Sequence, residues 1–179
     1  VLEITKDAKS KDSTLASLII SQYTGTQGEN NLYLHDSTLE NGAGDGSYRY
    51  AGSSDTTNNF VCFGSDSSVC PYNNLYRIIG VFDNKIKLIS ADYATKSLLG
   101  TNGNYSTEHL ADAYGEYYKG ELSSVNTYFW NKQNDTKINN GDGSNEWSTS
   151  LLNTVNLNTN YLNNIGSKWS NMIAVTDWQ

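Results

Sequence analysis

Cations, cysteines, prolines and long apolar runs are all scarce in this 179-residue sequence, and each scarcity narrows what the chain can be. Lys and Arg number 12 against 19 Asp and Glu, for a net charge of −7. A nucleic-acid binder is expected to carry a basic stripe, and none is visible along the sequence, so no nucleic-acid partner is expected. No apolar run reaches the length of a membrane-crossing helix. Val1 opens a mixed polar stretch in place of a signal peptide, as a mature or trimmed chain would. Charged residues make up only 17%, low for a cytosolic domain. Histidine occurs twice, at His35 and His109. A Ser-His-Asp triad needs a histidine oriented by a carboxylate. His35 adjoins Asp36, but neighbours in a strand point to opposite faces. Paired carboxylates for glycoside hydrolysis cannot be picked from the scattered acids. No catalytic residue and no cofactor is therefore assigned, and the chain reads as a non-enzyme.

The two cysteines, Cys62 and Cys70, enclose the segment Phe-Gly-Ser-Asp-Ser-Ser-Val. Its turn-forming residues let the loop close, so a disulfide joining the strand before it to the strand after it is expected, as in a secreted protein. The alternative is a pair of free thiols in a reducing compartment. The spacing is not that of a zinc site. Calcium is the best metal candidate: Asp135, Asn139, Asp142 and Glu146, with Ser144, crowd one loop with the oxygen ligands that ion prefers. A solvated turn explains the same composition.

What is abundant is tyrosine (13), glycine (15) and asparagine, on a charge-poor background that suits an extracellular surface. The clearest element is a β-hairpin over 74–90. Leu75 to Phe82 is rich in β-branched and aromatic residues and reads as a strand buried on both faces. Ile86 and Leu88 alternate with Lys85 and Lys87, so one side of the second strand should meet water. Asp83-Asn84 between them tolerates the positive φ of a tight turn. Tyr48 to Ala51 and Asn59 to Phe63 read as two more strands, completing a four-stranded antiparallel meander. The glycine-rich segment 40–46 runs into a strand and lacks the Lys-Ser/Thr and helix of a phosphate-binding loop, so it reads as a long turn. Upstream, Asp12 or Ser13 is placed to cap a helix from Thr14 to Tyr23 with Leu15, Leu18 and Ile19 on its apolar face. Residues 1–28 thus form an arm with a short helix, and 29–179 a single α+β domain.

Ala91 to Leu99 and Thr107 to Tyr118 read as broken helices, and Tyr128 to Trp130 as an apolar anchor. Ser148 or Thr149 is placed to cap a helix whose Trp147, Leu151 and Val155 share a face. A second short helix from Asn158 turns Tyr161, Leu162 and Ile165 inward and ends at Gly166. Met172 to Val175 reads as a strand. Because the hairpin needs a cover, Ile78, Val81, Leu88, Trp147, Leu151 and Leu162 are expected to share one core, with Trp147 and Trp169 buried.

The order YRYAG (48–52), NNFVCFGSDSSVCPYNNLYRIIGVF (58–82), IKLIS (86–90), YFWN (128–131) and SLLNTVNLNTNYLNNIGSKWSNMIA (150–174) resembles an uncharacterised Asn/Tyr-rich family of surface proteins from low-GC Gram-positive bacteria. The resemblance runs from about Leu32 to Trp178. It implies a signal sequence, pilin-like leader or wall anchor in many members, and an antiparallel sheet with short helices of the C-type-lectin-like kind, the fold of formylglycine-generating enzyme. It implies no activity, ligand or site residue. Members continue past Trp178 with further strands. The chain is therefore expected to be incomplete at its C-terminal end, with the edge at Met172–Val175 covered by another chain or by residues 1–12. These observations point to an extracellular or cell-wall domain for adhesion or recognition of a host or cell-surface ligand, carbohydrate or protein. The rivals are a fibre or pilus subunit that self-assembles by strand exchange, and a carbohydrate-active enzyme.

Overall fold

The computed structural model describes residues 14–100, 132–133, 143–144, 146–150 and 152–175. It is an α+β structure whose chain falls into two compact units, residues 1–93 and 94–179.

The first unit is built on the expected hairpin, β4 (Leu75–Phe82) and β5 (Lys85–Ser90). Asp83 and Asn84 take φ of 46° and 60°, as a two-residue hairpin turn between twisted strands requires. Ile78 pairs with Leu88 but Gly80 with Lys87, so Ile79 is an extra residue that bulges β4. Three further strands, β1 (Leu32–Leu34), β2 (Tyr48–Tyr50) and β3 (Phe60–Cys62), complete one antiparallel sheet. A strand has two edges. β5 takes one edge of β4 from Tyr76 to Phe82, so β3 and β2 share the other, β3 beside Leu75–Arg77 and β2 beside Gly80–Val81. The expected meander is therefore corrected: β2 and β3 both pair with β4, and β1 adds a fifth strand beyond β2.

Helix α1 (Leu15–Ser21) covers one face of this sheet. Its cap is Thr14, not Asp12 or Ser13: the Thr14 hydroxyl accepts the Ser17 N–H at 3.2 Å. Its inner face also shifts from the expected one. Ala16 and Ile19 are buried with Leu32, Ile78 and Val81, and Leu15, Ile20, Ile86 and Leu88 pack around them, while Leu18 turns outward. Ile19 and Leu32 are fully buried, each worth about 1.5–3 kcal/mol of apolar transfer. The helix expected in an N-terminal arm is thus part of this core. Of the six residues expected to share one core, Ile78, Val81 and Leu88 do so under α1. Trp147 and Leu162 belong to the second unit, and Leu151 lies outside the described residues.

Two devices finish the sheet. The Gln27 amide donates to Leu34 O and accepts its N–H, both at 2.9 Å, and Gly28 N–H bonds Leu32 O, so the outer edge of β1 is covered. Cys62 and Cys70 are joined, with Cα atoms 5.7 Å apart, as their spacing predicts.

In the second unit, α2 (Lys96–Leu99) ends at Gly100, which has φ of 74°. A π-helical stretch from Leu152 to Tyr161 runs into α3 (Leu162–Ile165). Gly166 ends it as predicted and α4 (Ser167–Ser170) follows. The separation into two helices at Asn158 is not observed. The cap is Ser150, whose hydroxyl accepts the Asn153 N–H at 3.1 Å, in place of Ser148 or Thr149. Asn156, Asn160 and Asn164, four residues apart on one face, donate side-chain amides to the last carbonyls of α2: Leu99 O twice at 2.9 Å, and Ser97 O and Leu98 O at 3.0 and 2.8 Å. Trp147 and Trp169 are half-buried, and Trp130 and Trp178 lie outside the described residues. Residues 173–175 form no strand, and Met172 and Val175 are 66% and 97% exposed. The predicted edge strand is therefore absent there. Its expected cover, residues 1–12, lies outside the described residues.

Two stability predictions follow from this packing. A Cβ on Gly80 would meet Tyr48 O at 2.3 Å and Arg49 Cα at 3.0 Å, both backbone atoms of β2. Gly80→Ala should cost about 1–3 kcal/mol in urea unfolding, and an unchanged midpoint would contradict the β2–β4 register. Cys70→Ser should speed amide exchange in 64–69 more than in β4 and β5, whereas equal loss of protection would contradict a local staple.

Candidate functional site: a cationic and aromatic face of the sheet

Residues paired across neighbouring strands share a face. Inward, Tyr76, Ile78 and Val81 pair with Ser90, Leu88 and Ile86. Outward, Arg77 lies between Phe60 and Ile89, Gly80 between Arg49 and Lys87, and Phe82 beside Lys85. Every Lys or Arg between Thr14 and Tyr93, namely Arg49, Arg77, Lys85 and Lys87, therefore stands on this outer face. No strand of the sheet contains an Asp or Glu. The acids, Glu29, Asp36, Glu40, Asp45, Asp55, Asp66, Asp83 and Asp92, all lie outside the strands. Between residues 14 and 93 the cations and the acids are thus segregated, the cations on one face of the sheet.

The cations are ordered by aromatic rings. The Arg49 guanidinium sits 4.9 Å from the Phe82 ring centre and Lys87 Nζ 5.0 Å from it. The Arg77 guanidinium lies 4.1 Å from the centre of Phe60. Such contacts attract a cation electrostatically without neutralising it. Arg77 is further held by Asn59 Oδ1 at 2.9 Å, by Thr57 O and by Ser54 O, so it fastens the 52–59 loop to β4. Among the described residues it has no carboxylate partner. Arg49 does: its Nη2 is 2.5 Å from Asp45 Oδ2, and its Nε donates to Ser47 Oγ at 2.7 Å. Lys85 and Lys87 are exposed, as is Ile89 at 55%. Between Arg49 and Lys87 stands Gly80, which has no side chain. Arg49 and Lys87 thus flank β4 around the Phe82 ring that both approach, and the place of a Gly80 side chain is taken by the backbone of β2.

The residues singled out in the sequence fall elsewhere. Asp135, Asn139 and Asp142 lie outside the described residues. Glu146 is exposed at the cap of the turn Trp147–Thr149. Among the described residues no group of three or more His, Cys, Asp or Glu side chains could hold a metal ion. His109 is also outside the described residues. His35 Nδ1 accepts the Ala43 N–H at 3.0 Å and pins the 36–46 loop, while Asp36 turns to the Thr38 N–H and hydroxyl. The two do not form a catalytic pair. No described helix is long and apolar enough to cross a membrane. Sequence reasoning saw the lysines of β5 on one side but missed the face, because Arg49 and Arg77 belong to strands whose partners were not known. The available signal was that all four cations, and no acid, occupy strand positions.

Compared with known protein families, with curated proteins and with solved structures, the chain matches none.

The Asp45 carboxyl is held down at about 2 by the Ser47 hydroxyl first, then the Ser47 N–H and Arg49. A folded-state value below the usual 3.8 means that its stabilisation is present above about pH 4 and is lost as pH falls toward 2. Asp45→Asn should therefore flatten the difference in unfolding stability between pH 4 and pH 2. An unaltered pH profile in the variant would contradict this coupling.

Proposed function

We propose that this chain is an extracellular, non-enzymatic domain displayed on a cell or wall surface, where it serves adhesion or ligand recognition. The supporting observation is the sheet face itself: four cations of residues 14–93 gathered on one side, three of them ordered by Phe60 and Phe82, with Arg49–Asp45 the ion pair seen among the described residues. Charge segregated in this way raises encounter rates with an oppositely charged partner. The Cys62–Cys70 bond supports the compartment, since disulfides persist in oxidising surroundings. The curled antiparallel sheet with short helices is compatible with the C-type-lectin-like architecture that the resemblance implies, and we carry that architecture as part of the proposal. The rival fibre role by strand exchange draws no support from Met172–Val175, where no strand forms.

The compartment is tested on source cells. A membrane-impermeant amine reagent should label Lys85 and Lys87 on intact cells, and alkylation without reductant should find no free thiol. Labelling only after lysis, with both cysteines alkylated, would overturn the proposal.

A further inference from the structure

The row of cations on the outer face has features that narrow its occupant, and we infer that it binds a linear, carboxylated polysaccharide laid across β2, β4 and β5. This deepens the recognition role proposed above and rests on it.

Three observations favour that occupant. First, the cations form a row: Arg49 on β2 and Lys87 on β5 stand on either side of β4, and Lys85 extends the line along β5. An extended chain can reach several cations there at once. Second, the aromatic rings are already engaged. Phe82 is contacted by both Arg49 and Lys87, and Phe60 is covered by Arg77. Single-stranded nucleic acids bind chiefly by stacking bases on free rings; here the two rings among the cations are taken, and the other outward ring, Tyr33, lies over Gly28. What it presents to a ligand is ammonium and guanidinium charge. Third, eight carboxylates lie in the segments outside the strands between residues 14 and 93. They repel a densely charged polymer such as nucleic acid, but weigh less against a chain with one carboxylate on every second sugar, whose charges can sit over the cations and whose neutral hydroxyls pass the rim.

The test uses the full chain and hyaluronan oligosaccharides as probe, followed by calorimetry or fluorescence anisotropy at low salt. Binding should be saturable and should fall about tenfold or more in the double variant Lys85→Gln/Lys87→Gln, a change of about 1.4 kcal/mol or more. Both positions are exposed, so an unchanged thermal midpoint will show that the variant folds. Lys168→Gln, a cation of the second unit, should bind like the wild type. Neutral dextran should not bind. No binding of hyaluronan at low salt, or equal binding by the double variant, would overturn the inference. Tighter binding of oligo(dT) than of hyaluronan would overturn it in favour of a single strand. Concentration-dependent dimerisation abolished by the same double substitution would overturn it in favour of a second copy. The extracellular reading stands or falls separately, on the labelling and thiol measurements in source cells.

Discussion

Strand β4 carries backbone donors and acceptors along both edges, and burying Tyr76, Ile78 and Val81 obliges those groups to find partners. The rest of the first unit answers that demand. β5 pairs with one edge from Tyr76 to Phe82 around the bulge at Ile79, because the Asp83-Asn84 turn returns the chain at once. The other edge is shared by two three-residue strands that arrive from different loops. Each brings its own fastening. β3 is tied to the loop before β4 by the disulfide, and by Asn74, whose amide bonds Phe63 O at 3.0 Å. β2 is held where Gly80 lets its backbone approach, and β1 beyond it is closed by Gln27. Short strands are stable here because a long central strand supplies the partner that none of them could supply to another.

The same arrangement sorts the charges. Asp is disfavoured in strands and favoured in turns, where its carboxylate bonds nearby N–H groups. Asp36, Asp45 and Asp55 all do so, and their carboxyls are held below the usual range by hydroxyl and backbone donors. Lys and Arg have long stems that lie along a sheet while the head group reaches water. On the outer side those stems meet Phe60 and Phe82; on the inner side α1 leaves no room for a charge. A positive face therefore emerges from local rules applied to each strand, and the bulge at Ile79 keeps the two halves of β4 in phase. Arg77 and Phe82 share a side even though their numbers differ by an odd count.

The legible parts were those encoded within a few residues. The hairpin and its turn, the Gly166 stop and the cysteine pair all follow from contiguous signals. Strand partnership was not legible: alternation says which side of β2 or β3 is buried but not which strand lies alongside, and the meander was only the simplest guess. The cover was not legible because an apolar helical face does not name the sheet it packs on: Ile19 of Leu15–Ser21 is the residue fully buried against the hairpin. In the sequence the asparagines of 156–164 are only part of a general abundance of that residue. Their four-residue spacing lets three amides serve the carbonyls at the end of α2. The cationic face was invisible because its members are separated by up to 38 positions, from Arg49 to Lys87, and meet only through β4.

The central claim is that the outer face of this sheet, and no loop, is the surface that meets an anionic ligand. An amide-resolved NMR titration of the isotope-labelled chain with a carboxylated oligosaccharide tests it most directly. The claim predicts that the largest shifts cluster at Arg49, Gly80, Lys85 and Lys87, across three strands at once. Shifts confined to the 36–46 loop or to the second unit, with those four amides still, would contradict it.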